Sequence, residues 1–376
     1  MLLISVNISK LNMNVPKIDG SRFDRSLSIA DNWPGLRHCE QHIMVQISFA
    51  ECSGTEWTHR VSAYRELSLI QCGEFGETKS QLEGWSVERG TFIADAAEVG
   101  AFQILIKELP VIGGGLAWLN RGPLMTEPGH ANDIFAALKR HYADERGYYL
   151  RIAPAASDEE FTAPAGFQAA GANGWASAIL DLTPDADKLR SNLRRNWRSH
   201  LNKAGRSELA VSVGVDGAPF DTFLESYTIF MKQLGLNAGV APAFFARLQG
   251  LLPPEDRMRA YVAELDGDVV AGVLIAGYGD TAEYIAAHST DAGRKLGAGQ
   301  LLLWNAIADA KEAGFARFDL SGMDAEQTPA GIYKFKDGVG AIPYRLAPEI
   351  EALGQSWGGL PAKAVRWRVR RARLSS

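Results

Sequence analysis

The chain has 376 residues, of which 46% are hydrophobic and 22% charged, and its formal net charge is −5. This length is too great for one ordinary core and sufficient for two domains, and the composition is that of a soluble globular protein without a membrane span. Three cysteines without metal-ligand spacing, Cys39, Cys52 and Cys72, favour a reduced cytoplasmic setting.

Residues 1–43 show little of the hydrophobic pattern that marks helices and strands, and we interpret them as an N-terminal extension. The segment Met44–Ala50 is the first clear strand. We assign no function to the extension.

Two similar series of elements follow. Glu98–Ile106 resembles the strand around Gly267, and Ala143–Ile152 resembles Ala310–Leu320. Gly100 and Gly267 are as far apart as Gly147 and Gly314, which indicates a duplicated strand–strand–helix–strand unit. We therefore predict an α/β fold class with two domains, 44–170 and 171–350, each a mixed, mostly antiparallel twisted sheet flanked by helices.

The segment Arg121–Gly129 lies where the first copy would carry a phosphate-binding loop. Pro123 and Pro128 remove amide donors there, so we expect no phosphate cradle in this half. The first domain is predicted to shape an acceptor site, and the second to bind a donor.

A basic helix is predicted over Asp185–Ala204, after the cap Thr183 and Pro184. It carries an apolar stripe and a basic stripe, made of Leu189, Leu193, Trp197 and Leu201, and of Arg190, Arg194 and Arg198 with Lys203. The basic stripe is either a solvated face or a binding surface for a phosphorylated partner. Under the second interpretation, Arg194, Arg198 and Lys203 bind substrate.

A glycine-rich loop follows three predicted strands. Two of the strands form a hairpin at Asp266–Gly267, and the third is Ala282–Ala287. The loop is Arg294–Gly299, and a helix begins at Gln300. Amides at Gly297 and Gly299, with Arg294 beside them, would suit a pyrophosphate; the alternative is a turn that caps an ordinary helix.

Alternation on the third strand places Tyr284 and His288 on one face. Either His288 acts as a base and Tyr284 as a proton donor, or they are a packed tyrosine and a capping histidine. The sequence shows no metal-binding pattern and no serine or cysteine nucleophile.

The order of strands and the Arg-x-x-Gly-x-Gly pattern of Arg294–Gly299 resemble the acyl-CoA N-acyltransferase (GNAT) fold. Farther on, a strand ending in Asp-Leu-Ser-Gly (319–322) precedes Gly-Ile-Tyr-Lys-Phe-Lys (331–336). These motifs, with several shorter ones between residues 44 and 347, resemble the Fem-type (FemAB-like) aminoacyltransferases, which carry two GNAT-like domains in tandem.

This resemblance implies a site and its substrates. Lys336 would lie at the transfer site and hold a phosphate or a developing oxyanion, Phe335 would contribute packing and a carbonyl, and Tyr333 would line the cleft. The implied co-substrate is aminoacyl-tRNA, with no tightly bound cofactor. The implied acceptor is an amine of a nucleotide- or lipid-linked sugar precursor of the cell wall.

Two alternatives stay open. The Arg294–Gly299 loop is better formed than a Fem-type donor site requires, which favours an acyl-CoA-dependent N-acetyltransferase acting on an aminosugar or amino acid in exopolysaccharide assembly. The third interpretation is a non-catalytic binding module in which both copies have decayed.

Residues 351–376 form a basic C-terminal tail. It contains Lys363, Arg366, Arg368, Arg370, Arg371 and Arg373 and no acidic residue after Glu351. The tail is either disordered, or contacts tRNA, or is drawn to an anionic membrane at its cytoplasmic face.

Overall fold

The computed structural model describes residues 45–109, 114–159, 161–235 and 240–354. The predicted N-terminal extension and residues 355–376 of the basic tail lie outside them. In these ranges, no helix is both long and apolar enough to cross a membrane.

The first helix of the first half, which follows a short strand, has its start fixed by a capping box. The Ser53 side chain accepts from the Glu56 amide, and the Glu56 carboxylate accepts from the Ser53 amide. In chain order the elements of this half are β1 (Gln46–Phe49), α1 (Gly54–Val61), α2 (Gly73–Glu83), β2 (Ser86–Ala94), β3 (Ala97–Leu109), β4 (Gly114–Asn120), β5 (Leu124–Met125), α3 (Ala131–Leu138), β6 (Tyr149–Ala153) and β7 (Gln168–Ala169).

The second half contains more helix. Its elements are β8 (Ala176–Asp181), α4 (Ala186–Asn192), α5 (Arg195–Ala204), β9 (Ala210–Gly214), α6 (Ala218–Gln233), α7 (Val240–Leu251), β10 (Arg259–Leu265), β11 (Asp268–Tyr278), β12 (Thr281–Ser289), α8 (Asp291–Leu296), α9 (Ala298–Glu312), β13 (Arg317–Asp319), α10 (Ala330–Asp337), β14 (Ile342–Arg345) and β15 (Ile350–Leu353).

These strands form two mixed sheets. The first has the order β1-β2-β3-β4-β6-β15-β7, with β5 paired to β3, and the second has the order β14-β8-β13-β12-β11-β10-β9. Each sheet contains one parallel pair, β4–β6 in the first and β12–β13 in the second. The run β2-β3-β4-β6 therefore repeats as β10-β11-β12-β13, which confirms the predicted fold class of two mixed, mostly antiparallel sheets with helices around them.

The C-terminal strand corrects the predicted domain limits. β15 pairs with β6 and β7, so it belongs to the first sheet and not to the second domain or to a tail. The sequence-based limits placed these residues after the second domain because they follow it along the chain. Their pairing partners, β6 and β7, lie before the whole second half.

Of the two equally spaced glycine pairs, one marks equivalent positions of the repeat and the other does not. Gly147 and Gly314 both have positive φ, 70° and 89°, and each lies just before the strand of its parallel pair. Gly100, however, lies inside β3, where a Cβ would come within 2.6 Å of the Leu124 carbonyl. The corresponding hairpin turn is at Asp95–Ala96, both with positive φ.

One hydrophobic core joins the two halves. Trp57 of α1 and Phe75 of α2 belong to the same buried cluster as Phe223 of α6 and Phe244 of α7. The rings of Phe75 and Phe244 lie 5.2 Å apart between centroids. Because this core is shared, the two sheets are held as one unit, and a site between them has fixed walls.

Candidate functional site at the junction of the two halves

Strands β12 and β13 separate after a short parallel pairing. The last paired residues are Glu283 and Asp319; β13 ends there, while β12 continues to Ser289. Both carboxyl side chains are almost fully buried, at 4% and 3% exposure. Two acidic groups side by side in the interior need partners, because an uncompensated buried charge is strongly unfavourable.

Arg121 supplies positive charge from the first half. It directly follows β4 with a φ of 51°, and its Nη1 lies 3.8 Å from Oε1 of Glu283. Its guanidinium carbon lies 4.4 Å from the centroid of the Trp175 ring. The buried pair therefore joins the end of a strand in one sheet to a strand of the other.

Neutral donors complete the cluster. Asp319 accepts hydrogen bonds from the hydroxyls of Ser177 and Tyr344 and from the amide of Ser321, the last two at 2.7 and 2.6 Å. Tyr278 donates to Glu283 at 2.8 Å. Burial raises the pKa of Glu283, and the Arg121 charge opposes that rise.

Lys336 lies beside this cluster, on α10. Its side chain is 5% exposed, and Nζ donates to the carbonyls of Ser321 and Gly322 at 3.1 and 3.0 Å. Burial lowers the pKa of Lys336 to about 8, against the raising effect of Asp319 and Glu283. Nζ also lies 5.2 Å from the centroid of the Tyr284 ring. The structure thus places the predicted Lys336 and Tyr284 together.

His288 is not part of this arrangement, so the prediction that it shares a face with Tyr284 is wrong. Register shifts between Leu274 and Ile275 of β11, which pair with Ala286 and Tyr284. The extra residue, Ile285, forms a β-bulge, and a bulge reverses the alternation of faces beyond it. His288 therefore points to α6, on the opposite side of the sheet.

The surroundings of His288 are mostly aromatic. Its Nε2 is 2.8 Å from the Ser226 hydroxyl, and the rings of Phe223, Tyr227 and Phe230 lie about it. Burial lowers its pKa to about 4, so the ring is neutral at pH 7. It lines a separate cleft of about 780 Å³ between α6 and the start of α8, together with Arg294.

The Phe-Lys motif is anchored by α5. The indole nitrogen of Trp197 donates to the carbonyl of Phe335 at 2.9 Å, so that carbonyl is already engaged. Tyr333 is half-buried and packs on the core of the second sheet. Phe335 packs on the same core, and Tyr333 lies one turn before Lys336 on α10; a role of either residue in binding substrate stays a prediction.

The glycines of the predicted phosphate loop are closely packed. Gly297 has a φ of 81°, its amide donates to the Arg294 carbonyl, and a Cβ on it would lie 2.5 Å from the His200 carbonyl of α5. A Cβ on Gly299 would lie 3.6 Å from the Phe335 ring. Arg294 is bonded to Asp291 and the Ser289 carbonyl. These contacts favour the packing interpretation of the loop.

Replacing Gly297 with Ala should therefore destabilise the fold itself. The added methyl group meets the α5 backbone in a left-handed conformation that alanine disfavours, for a loss of about 1–3 kcal/mol or more. Gly314→Ala is the matched control, because its φ of 89° imposes the same strain with no atom within 4 Å. Urea unfolding should show the larger loss for Gly297→Ala; equal losses would contradict this role.

The predicted basic helix is interrupted. α4 ends at Asn192 and α5 begins at Arg195, because Leu193 and Arg194 have extended ψ values of 135° and 144°. The apolar stripe is buried as its spacing predicts, and it consists of Leu189, Leu193, Trp197 and Leu201.

The basic side chains of this region are partly engaged. Arg194 forms an ion pair with Asp337 at 2.7 Å, next to Lys336. Arg198 donates to the Ser191 carbonyl and Lys203 to the Lys295 carbonyl. Arg194 therefore connects the basic surface to the Phe-Lys motif, and a substrate-binding role for these three residues stays a prediction.

Sequence reasoning gave no role to Arg121, Glu283 and Asp319. The available signal was a charged residue inside an apolar strand, as with Glu283 in β12 and Asp319 in β13. This signal does not predict that Arg121 is the ion-pair partner of Glu283, because the two residues belong to different halves of the chain.

Comparisons with known proteins agree with this architecture. Residues 187–337 match the acetyltransferase (GNAT) domain family. The chain is 28% identical over 185 residues to UDP-N-acetylmuramoylpentapeptide-lysine N(6)-alanyltransferase of Weissella viridescens, and the match covers 46% of this chain and 54% of that protein. The chain thus spans about half the length of the curated relative it matches.

Solved structures extend the likeness to both sheets. The crystal structure of FemX superimposes with a TM-score of 0.70 at 17% identity, over 81% of this chain and 97% of that one. A C-terminal domain of a putative lysylphosphatidylglycerol synthetase from Agrobacterium fabrum gives a TM-score of 0.51 at 15% identity, over 85% and 97%. The chain is therefore similar to the GNAT domain family over residues 187–337 and to FemX in its fold.

Proposed function

We propose that this protein is a Fem-type acyltransferase that moves an aminoacyl group from aminoacyl-tRNA to an amine of a cell-wall or cell-surface polysaccharide precursor in the cytoplasm. The Weissella relative is named as an enzyme that transfers alanine to a lysine of a UDP-linked muramoyl pentapeptide. Peptidoglycan precursors of that kind are the acceptors we favour.

The observation that carries this proposal is the environment of Lys336. It is a buried amine with two N–H groups fixed by backbone carbonyls, and its pKa of about 8 leaves it mostly protonated at pH 7. Its third N–H has no hydrogen-bond acceptor among the residues that the structure describes. A fixed donor of this kind stabilises an oxyanion, because it requires no reorganisation when charge develops.

The reaction exchanges an ester C–O bond for an amide C–N bond and moves one proton from the amine to the leaving oxygen. The neutral acceptor amine attacks the ester carbonyl, a C–N bond forms, and the ester C–O bond breaks as the RNA hydroxyl leaves with a proton. Lys336 holds the carbonyl oxygen while it carries negative charge. The junction of the two halves suits this chemistry, since Arg121 of the first half and Lys336 of the second lie beside the same buried carboxylate, Glu283.

The packing of Gly297 and Gly299 weighs against the acyl-CoA alternative. The Gly297 amide, one of the two predicted phosphate donors, already donates to the Arg294 carbonyl within the chain. The predicted membrane contact concerns residues outside the described ranges and stays a prediction.

The donor can be tested directly. The purified protein is incubated with a UDP-linked muramoyl pentapeptide and either alanyl-tRNA or acetyl-CoA, and the mass of the pentapeptide is measured. We expect a gain of one amino acid with alanyl-tRNA and no acetylation. Acetylation without aminoacylation would replace this proposal with the acyl-CoA alternative, and no change with several acceptors and aminoacyl-tRNAs would leave the binding module.

A further inference from the structure

A small pocket lies on the outer surface of the second half, where α5 packs on α9. Its volume is about 280 Å³, and Trp304 and Leu301 of α9 form one wall. The other wall is polar and consists of Arg190, Asn202 and Arg206. The proposed transfer chemistry at Lys336 uses none of these side chains.

The pocket contains a preformed pair of an aromatic ring and a cation. The Arg190 guanidinium lies 5.8 Å from the centroid of the Trp304 ring, and Asn202 Oδ1 fixes it through a hydrogen bond of 2.6 Å. A nucleobase has a flat π-face that stacks on such a ring, and its phosphate seeks an arginine. Arg206 is exposed at the rim and can meet that phosphate.

The surface around the pocket is basic over a wider area than a single phosphate needs. Several cations on α4, α5 and α8 form no ion pair within the described part of the chain, namely Lys188, Arg195, Arg198, Lys203 and Lys295. The acidic residues on these helices and at their ends are Asp185, Asp187, Glu208 and Asp291, of which Asp291 is paired with Arg294. This balance suits a polyanion such as RNA in a protein whose net charge is −5.

The pocket is close to the Phe-Lys motif. Leu201 lines it, and Trp197, one turn earlier on α5, donates to the Phe335 carbonyl. Roughly 6 Å along α5, one helical turn, therefore separates the pocket-lining Leu201 from the side chain that contacts Phe335, the residue before Lys336. A few unpaired nucleotides can span that distance.

We propose that this pocket binds an unpaired nucleotide near the 3′ end of the donor RNA, with the base on Trp304 and its phosphate at Arg206. The choice of RNA as the ligand rests on the proposed function. The pocket would hold the RNA end so that its terminal ester reaches Lys336, and it would favour a single-stranded end over a closed duplex.

Fluorescence anisotropy with the full chain tests this. One RNA hairpin carries a 5′ label and four unpaired 3′ nucleotides, and a second is identical but blunt. The parent protein should bind the first about tenfold more tightly, since stacking of one base is worth that much. Trp304→Ala should remove the preference, and Trp304→Phe should restore it.

The contribution of the Arg206 charge to RNA binding is tested with a second pair of variants. Arg206→Ala should weaken binding of the overhanging RNA and make its salt dependence shallower by about 0.7 in the log–log slope, as expected for one lost single-strand phosphate contact. Lys232→Ala removes an exposed cation from α6, away from the pocket, and should change neither quantity.

Three results would overturn the inference: equal affinity of the parent for both hairpins, a preference that persists in Trp304→Ala, or binding to phosphatidylglycerol vesicles with none to RNA.

A transfer assay separates failure of this inference from failure of the proposed function. If the overhang preference depends on Trp304 but no aminoacyl group is transferred, the pocket stands and the function fails. If transfer occurs and Trp304 has no effect, the function stands and the pocket fails.

Discussion

Lys336→Met should lower the rate of acyl transfer by about 10²- to 10³-fold, the usual effect of removing one oxyanion donor. Methionine keeps the length and burial of the side chain but has no N–H, so the loss should fall on kcat more than on KM. Steady-state transfer from aminoacyl-tRNA, with urea unfolding as a check on folding, measures both.

The same helix supplies the control. Lys334→Met removes an exposed amine two residues earlier and should leave transfer within about threefold of the parent's rate. Since the pKa of Lys336 is about 8 and the charged form is required, the rate attributable to it should fall as pH rises above that value. A ratio of the parent rate to the Lys336→Met rate that increases through this range would instead make Lys336 a base.

Arg121→Met should lower the free energy of unfolding by about 3–5 kcal/mol, because it leaves the Glu283 carboxylate buried without its counter-charge. The pKa of Glu283, already raised by burial, should rise further. A carboxyl whose folded pKa exceeds its unfolded pKa loses stability as pH increases between the two values. The deficit should therefore be larger at pH 8 than at pH 5.

Two comparisons make this specific to the buried pair. Arg60→Met breaks the ion pair with Glu98, whose side chains are 47% and 32% exposed, and should cost no more than about 1 kcal/mol. Adding Glu283→Gln to Arg121→Met should recover part of the loss. If the single variants at Arg121 and Arg60 lose equal stability, or if the double variant recovers none, the buried pair does not hold the halves together.

Local sequence patterns predicted much of the fold. The hairpin at Asp266–Gly267, the apolar stripe of α4 and α5 and the parallel strand after Gly314 all depend on spacing within a few residues. Lys336 could be found because the Phe-Lys motif is contiguous. These features are set by short-range geometry, which a single sequence contains.

Other features depend on residues that are distant in sequence. The bulge at Ile285 is set by pairing of β12 with β11 and reverses the direction of His288. The Arg121–Glu283 pair requires both halves to be packed. The close contact of Gly297 with His200 requires α5 to lie on the glycine loop, and these two residues are almost a hundred positions apart in the sequence.

The path of β15 has a consequence for how the protein is made. The first sheet contains a strand, β15, that is synthesised after the entire second half, and among the described residues β7 pairs only with that strand. While the N-terminal half leaves the ribosome, the edge of β6 that later holds β15 is open, and domain-by-domain folding during synthesis stops short of a closed first sheet. Nascent chains arrested after β14 should thus be more easily digested by protease at β7 than chains released beyond Leu353.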